Sequence, residues 1–185
     1  IKDNRNLKIV VLKFGGTSVA DVPQIKKIAL KIKEEVELGN RVIVVVSAMS
    51  GVTNNLIDLV KHTSDFPPYA EYDNVLSTGE QVTSALLAIA LERLNLRTRS
   101  WLGWQIPIVT DNTYGKSVIE KIETDNISTS LEHNEVAVVS GFQGVSSENK
   151  ITTLGRGGSD TTAVAIAAAF SADRCDIYTD VDGVY

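Results

Sequence analysis

The stretch ITTLGRGGSDTTAVAIAAA, residues 151–169, restricts the folds open to this chain more than any other part of it. Its β-branched opening favours a strand, Gly155, Gly157 and Gly158 break that strand, and an alanine-rich apolar run of helical length follows. The order is strand, tight turn, helix. Glycines at such a turn can take positive φ and bring the backbone close to a ligand, while Ser159 and Asp160 are residue types that cap a helix. A helix start presents free N–H groups and the positive end of the dipole, and so attracts an anion. Arg156, set among the glycines, is suited to gripping a carboxylate or phosphate with its planar fork. A plain βα turn with a solvent-facing arginine is the competing reading, but Arg, three Gly, Ser and Asp within residues 155–160 favour the anion site.

The same grammar recurs upstream. Residues 7–12, LKIVVL, are nearly all apolar and read as a buried central strand that runs into KFGGTSVAD. Lys13 then falls at the carboxyl end of a parallel strand, and Gly15 and Gly16 allow a phosphate-bearing ligand to lie on the backbone. The loop has neither the GxGxxG nor the GxxxxGK[ST] pattern, and its lysine precedes its glycines. Asp21 and Gln24 form a capping box, with Pro23 in the first turn; Val22, Ile25, Ile28, Ala29, Ile32 and Val36 repeat at helical spacing until Gly39. Residues 41–46 form a second buried strand leading to Ser47 and Ser50, with Thr53 opening a helix, where its simplest role is an N-cap.

Residues 62–73, interrupted by Pro67 and Pro68, read as a loop. Residues 76–94 read as the longest helix, with Val82, Leu86, Ile89 and Ala90 on its apolar face and Glu80 in its first turn, where a glutamate ordinarily complements the dipole. A short strand is expected at 97–101. Around Trp104 and Asp111 there is little periodicity beyond a loop and strand edge, and a turn is expected at 112–116. A short helix from Thr124, a third buried strand at 135–142, a hairpin-like turn at 143–150 and a strand at 174–178 complete the pass. Strands alternating with helices imply one α/β domain: a three-layer αβα sandwich around a mostly parallel central sheet, with ligands at its carboxyl edge.

Charge and residue usage exclude several functions. With a formal charge of −5, a pI near 5.1 and no Lys/Arg cluster, the chain offers no footprint for nucleic acid or an anionic membrane, so its anion site must be local. The single cysteine, Cys175, permits no internal disulfide and suits a cytoplasmic location; no signal peptide or membrane-length apolar run is visible. His62 and His133 have no nucleophile beside them, which leaves neither a triad nor a zinc set. The polar groups at strand ends are Lys13 with Gly15 and Gly16, Ser47 with Thr53, Arg156 with Ser159 and Asp160, and Thr179 with Asp180 and Asp182. Such a cationic, glycine-lined edge suits phosphoryl transfer, where catalysis is mainly positioning and charge neutralisation.

Six segments in order, KFGGTSVAD, VVSAMSGVTN, LSTGEQ, GFQG, TTLGRGGSDTTA and TDVDGVY, resemble the catalytic amino-acid kinase domain of the aspartokinases over essentially the whole chain. The resemblance implies an enzyme that transfers the ATP γ-phosphoryl group to the β-carboxylate of L-aspartate with Mg²⁺. That is the first step towards lysine, threonine and methionine. By the same resemblance Lys13 would contact the transferring phosphate and Asp160 would orient the catalytic lysine. Ser47, Thr53, Glu80, Arg156 and Ser159 would hold aspartate, and Gly15, Gly16, Thr179, Asp180 and Tyr185 would lie along the nucleotide. A homo-oligomer is implied, with no nucleic-acid or membrane partner. Similar enzymes continue past TDVDGVY into further strands, a second active-site lysine and regulatory modules. The expectation is therefore that residues 1–185 are the substrate-binding part of the domain and do not turn over alone. A non-catalytic binding or assembly fragment, and a kinase for glutamate or acetylglutamate, are the alternatives; Glu80 and Arg156 favour aspartate by resemblance.

The chemistry agrees with that residue set. An aspartate side chain of pKa about 3.9 is already an anionic nucleophile at neutral pH, so no general base is needed. What is needed is relief of repulsion between carboxylate and triphosphate, which Lys13, loop N–H groups and Mg²⁺ supply. No protein ligand is assigned to the magnesium, which phosphates and water commonly hold.

Overall fold

The structure, a computed structural model, describes residues 7–178; the expected nucleotide residues Thr179, Asp180 and Tyr185, and Asp182, lie outside that range. Five strands form a wholly parallel sheet: β1 (Ile9–Phe14), β2 (Arg41–Val46), β3 (Thr98–Trp101), β6 (Val136–Ser140) and β9 (Arg174–Tyr178), in the order β3-β6-β2-β1-β9. The central three are buried along nearly their whole length, as continuous Val/Ile/Leu runs require in a sheet covered on both faces.

Alternation along these strands divides the core in two. Val10, Leu12, Phe14, Val44 and Val138 face the layer made by α1 (Val22–Glu37) and α4 (Thr78–Glu92), where Ile25, Ile32, Leu87 and Leu91 are fully or almost fully buried. Val11, Ile43, Val45 and Val139 face α5 (Asp125–Glu132) and α6 (Gly158–Ala169), which contribute Ile127, Leu131, Ala163 and Ile166. The three-layer αβα sandwich expected from sequence is thus present. At the start of α1 the cap is as expected: the Gln24 N–H donates to Asp21 Oδ1 at 2.9 Å.

Several expectations need correction. The first strand runs two residues later than residues 7–12, which puts Lys13 inside it, paired with Val45 and Ile177. Residues 62–73 are not all loop: α2 (Val52–Thr63) extends into them, and α3 (Tyr69–Leu76) starts immediately after Pro68, a residue that cannot continue a helix but is well placed to begin one. The longest helix is α1, with 16 residues against 15 in α4. The apolar face assigned to α4 is also rotated. Val82 and Ile89 are exposed, while Glu80, Thr83, Ser84, Leu87 and Leu91 are buried. Small polar residues fit this inner face because their hydroxyls bond locally, Thr83 to Gly79 O and Ser84 to Gln81 O.

A second sheet was not anticipated. It contains β4 (Ile108–Thr110), β5 (Ile119–Ile122), β7 (Gln143–Ser146) and β8 (Ile151–Thr153) in the order β5-β4-β7-β8, of which only the β4–β7 pair is parallel. The segment 143–150, expected as a turn, is strand β7 plus the short turn that reverses it into β8. Trp104 sits exposed in the loop between β3 and β4. Asp111 just past β4 accepts from the Thr113 and Val118 N–H groups, which hold its carboxyl below the usual range.

Candidate active site

A cleft of about 610 Å³ opens at the carboxyl ends of β1, β2 and β6, with β8 forming one side. Of the expected site residues within the described range, Lys13, Gly16, Ser47, Thr53, Glu80, Arg156, Ser159 and Asp160 all line it. Gly15 does not; its carbonyl accepts the Val19 N–H at 3.2 Å and closes the turn after β1. Neither histidine lines the cleft.

Three helix N-termini meet here, those of α2, α4 and α6, and none has a side-chain cap. Two expectations about capping are overturned by this. Thr53 lies within the first turn of α2, whose N-cap is Gly51 at φ 80°, and Ser159 and Asp160 lie within the first turn of α6, whose N-cap is Gly157 at φ 73°. A left-handed N-cap favours glycine and supplies no capping oxygen. The first N–H groups of these helices are left available to an anion, and the hydroxyls of Thr53 and Ser159 are freed from cap duty.

Lys13 follows Val11 on the α6 face of β1 and is only 8% exposed. Its Nζ stands 2.7 Å from Asp160 Oδ1, an ion pair by distance whose angles fall short of a hydrogen bond. The pair is one-sided: Lys13 is buried, whereas the Asp160 side chain is 47% exposed. Asp160 can therefore fix the ammonium while leaving it facing the cleft. Arg156 is exposed on its glycine loop and makes no ion pair among the described residues.

Glu80 forms the opposite wall and is buried, at 3% exposure. Its Oε1 accepts the Ala48 N–H at 3.2 Å, and its Oε2 has no hydrogen-bond partner among the described residues. Burial pushes the carboxyl up to about 7, against the downward pull of N–H donors from its own backbone and Ala48. Gly79 makes this approach possible, since a Cβ there would lie 2.9 Å from the Ala48 Cβ. Behind Glu80, the Ser140 hydroxyl reaches both Glu80 O (3.2 Å) and Ser84 Oγ (2.9 Å), and Gln143 Nε2 donates to Ser77 O at 2.9 Å. The start of α4 is thus pinned from β6 and β7.

Residues that sequence reasoning passed over complete the cleft. Thr153, Leu154 and Gly115 come from the second sheet and its loops, and Tyr72 and Leu76 come from α3. Phe142 also lines it, holding φ 72° although it is not glycine; its N–H donates to Thr162 Oγ1 and its carbonyl accepts the Leu154 N–H. The GFQG segment contained a hint of this position, but nothing in its composition marks a phenylalanine for the left-handed region.

Parallel-strand ends, a buried lysine paired with a half-exposed aspartate and uncapped helix starts make this an anion-binding cleft of an α/β sandwich, and the comparisons name the family. Residues 8–185 match the amino acid kinase family, and the chain belongs to it. Among its relatives is an aspartokinase of Rickettsia conorii, 52% identical over 182 residues that cover 97% of this chain and 45% of that protein. The aspartate kinase of Synechocystis has a crystal structure that superposes with a TM-score of 0.82 at 46% identity, covering 95% of this chain and 29% of that one. Aspartokinase III of E. coli, crystallised with aspartate and ADP, superposes with a TM-score of 0.85 at 25% identity, covering 96% and 50%. The chain spans about half the length, or less, of these relatives.

No helix among the described residues is long and apolar enough to cross a membrane.

Proposed function

We propose that the cleft binds L-aspartate and ATP, and that the protein to which this chain belongs transfers the γ-phosphoryl group to the β-carboxylate, giving 4-phospho-L-aspartate. The observation that carries this reading is Glu80: a buried carboxylate with one oxygen that has no partner among the described residues, across a cleft that holds the cations Lys13 and Arg156. A buried unsatisfied carboxylate oxygen is costly unless a ligand donor reaches it. An α-ammonium group would satisfy it and draw its proton off, while Arg156 takes the α-carboxylate and Thr53, Ser47 and Ser159 donate to the remaining oxygens. The similarity to aspartokinases supports the choice of aspartate over other amino acids.

In the transfer step, an oxygen of the ionised β-carboxylate attacks the γ-phosphorus as the bond to the β–γ bridging oxygen breaks, and ADP leaves with that electron pair. No proton has to move. Lys13 neutralises charge growing on the transferring group, and Asp160 holds Lys13 in place. Gly16, with the N–H groups at the start of α6, suits the phosphates, and Thr179, Asp180 and Tyr185 would follow the nucleoside. Mg²⁺ bound with the nucleotide would supply further charge neutralisation; among the described residues no group of three His, Cys, Asp or Glu side chains gathers that could ligate it. The product would feed lysine, threonine and methionine synthesis.

Hydroxylamine converts an acyl phosphate to a hydroxamate. With the intact protein, a hydroxamate signal requiring both aspartate and ATP is expected. Glutamate or acetylglutamate outperforming aspartate would overturn the substrate assignment.

A further inference from the structure

Asp73 has no place in the chemistry above, yet it is completely buried on α3 beside the cleft. Its Oδ2 accepts the N–H groups of Gly115 (3.0 Å) and Thr153 (2.8 Å), and its Oδ1 accepts the Thr153 hydroxyl at 2.8 Å. Burial raises its carboxyl above the usual range while those donors from Gly115 and Thr153 pull it down. One side chain thus joins three segments that are far apart in sequence: the helix leading into the turn that bears Glu80, the strand leading into the Arg156 loop, and the 112–116 turn. The last two are also joined directly, because the Ser117 N–H donates to Thr153 O at 3.0 Å. The Ser77 N–H bonds to Asp73 O, so the same residue fixes the end of α3 three residues before Glu80.

We infer that Asp73 is a positioning residue for the amino-acid half of the site, setting the separation between Glu80 and the Arg156 loop without touching substrate. The inference rests on the reading of the cleft as an aspartate site. Its chemistry separates it from general packing. Asparagine is nearly isosteric, and with its carbonyl at the Oδ2 position it still accepts both N–H groups, while its amide donates to the Thr153 hydroxyl. Alanine strands two buried N–H donors and a hydroxyl.

The test compares Asp73→Ala, Asp73→Asn and Thr153→Val in the intact protein, measuring KM for aspartate and for ATP, and amide exchange of Gly115 and residues 153–157 without ligand. For Asp73→Ala the expected result is an aspartate KM raised at least about tenfold, an ATP KM within about twofold and faster exchange at Gly115 and across 153–157. Asp73→Asn should stay close to wild type. Thr153→Val, which removes one of the three contacts, should show the same pattern more weakly and serves if the alanine variant does not fold. A merely structural residue would lower the active fraction, cutting kcat and leaving both KM values alone. That outcome, equal rises in both KM values, or an asparagine variant as impaired as alanine, would overturn the inference. If the wild type shows no aspartate dependence, the substrate reading fails, and exchange then decides alone: rates at 153–157 unchanged by Asp73→Ala overturn the positioning role.

Discussion

The two walls of the cleft are built on opposite principles. The Glu80 wall is buried and fixed: the Ala48 N–H donates to its carboxylate, the Ser140 hydroxyl donates to its backbone carbonyl, and Gly79 lets two elements close to near contact. The Arg156 wall is a glycine loop ending in a left-handed cap, with its guanidinium exposed and unpaired among the described residues. A buried charge costs folding energy and gives geometry in return; an exposed one costs almost nothing and gains its partner only on binding. Lys13 belongs with the first wall by burial and with the second by charge, which suits a group that acts on the phosphate between them. The contrast teaches that stability and function should separate across the cleft, and each expectation below tries to break that separation.

The largest effect should come from Lys13→Ala. Loss of a cation that acts on the transferring group is expected to lower kcat by about 10³, by analogy with other phosphoryl-transfer cations, with modest change in either KM. Steady-state kinetics would show the contrary case as a rise in KM alone, which would make Lys13 a binding residue only.

Next is stability at the Glu80 wall. A folded-state carboxyl raised from 4.5 to about 7 binds its proton more tightly than the unfolded chain does. Its contribution is therefore full below pH 4.5 and is lost as pH rises to about 7. The loss is on the order of 3 kcal/mol, and Glu80→Gln should remove it. Urea denaturation of both proteins at pH 5 and pH 8 measures this; identical pH dependence would show that Glu80 is not the group responsible. The same proton couples to substrate. If an ammonium pairs with ionised Glu80, aspartate affinity should fall by up to about tenfold per pH unit below pH 7, with proton release on binding. Calorimetry in buffers of different ionisation enthalpy detects that release, and none at pH 6 would leave the ammonium contact without support.

Arg156→Ala should weaken aspartate binding by about 1.5 to 3 kcal/mol, the range for hydrogen bonds to charged groups, while leaving ATP binding nearly unchanged. Equal losses for both ligands would place Arg156 on the nucleotide. The smallest effect is expected from the same variant without ligand: its unfolding free energy should lie within about 0.5 kcal/mol of wild type. A larger loss would mean that the exposed wall bears structural weight after all.

What the sequence determined by itself was the parallel sheet and the chemistry at its ends. Runs such as IVVLKF and RVIVVV have one stable burial in a covered sheet, and glycine turns after them can only present backbone and polar side chains at the carboxyl edge. Lys13, Arg156 and Asp160 were therefore legible as candidates, whereas Thr53 and Glu80 read as ordinary helix-start residues and joined the site, like aspartate itself, only through resemblance. Tertiary structure decided the rest, for reasons no local pattern carries. The second sheet is made of three- and four-residue strands such as Ile108–Thr110, too short for any period to stand out. The inner face of α4 could not be read because Val82 and Ile89 match an apolar stripe as well as Leu87 and Leu91 do, and only packing on α1 and the sheet chooses between them. In sequence Glu80 looks like an ordinary helix carboxylate and Asp73 like the last residue of a loop. Their weight comes from burial and from donors 32 to 80 residues away, on Ala48, Gly115 and Thr153, and desolvation exists only once those partners have closed around them.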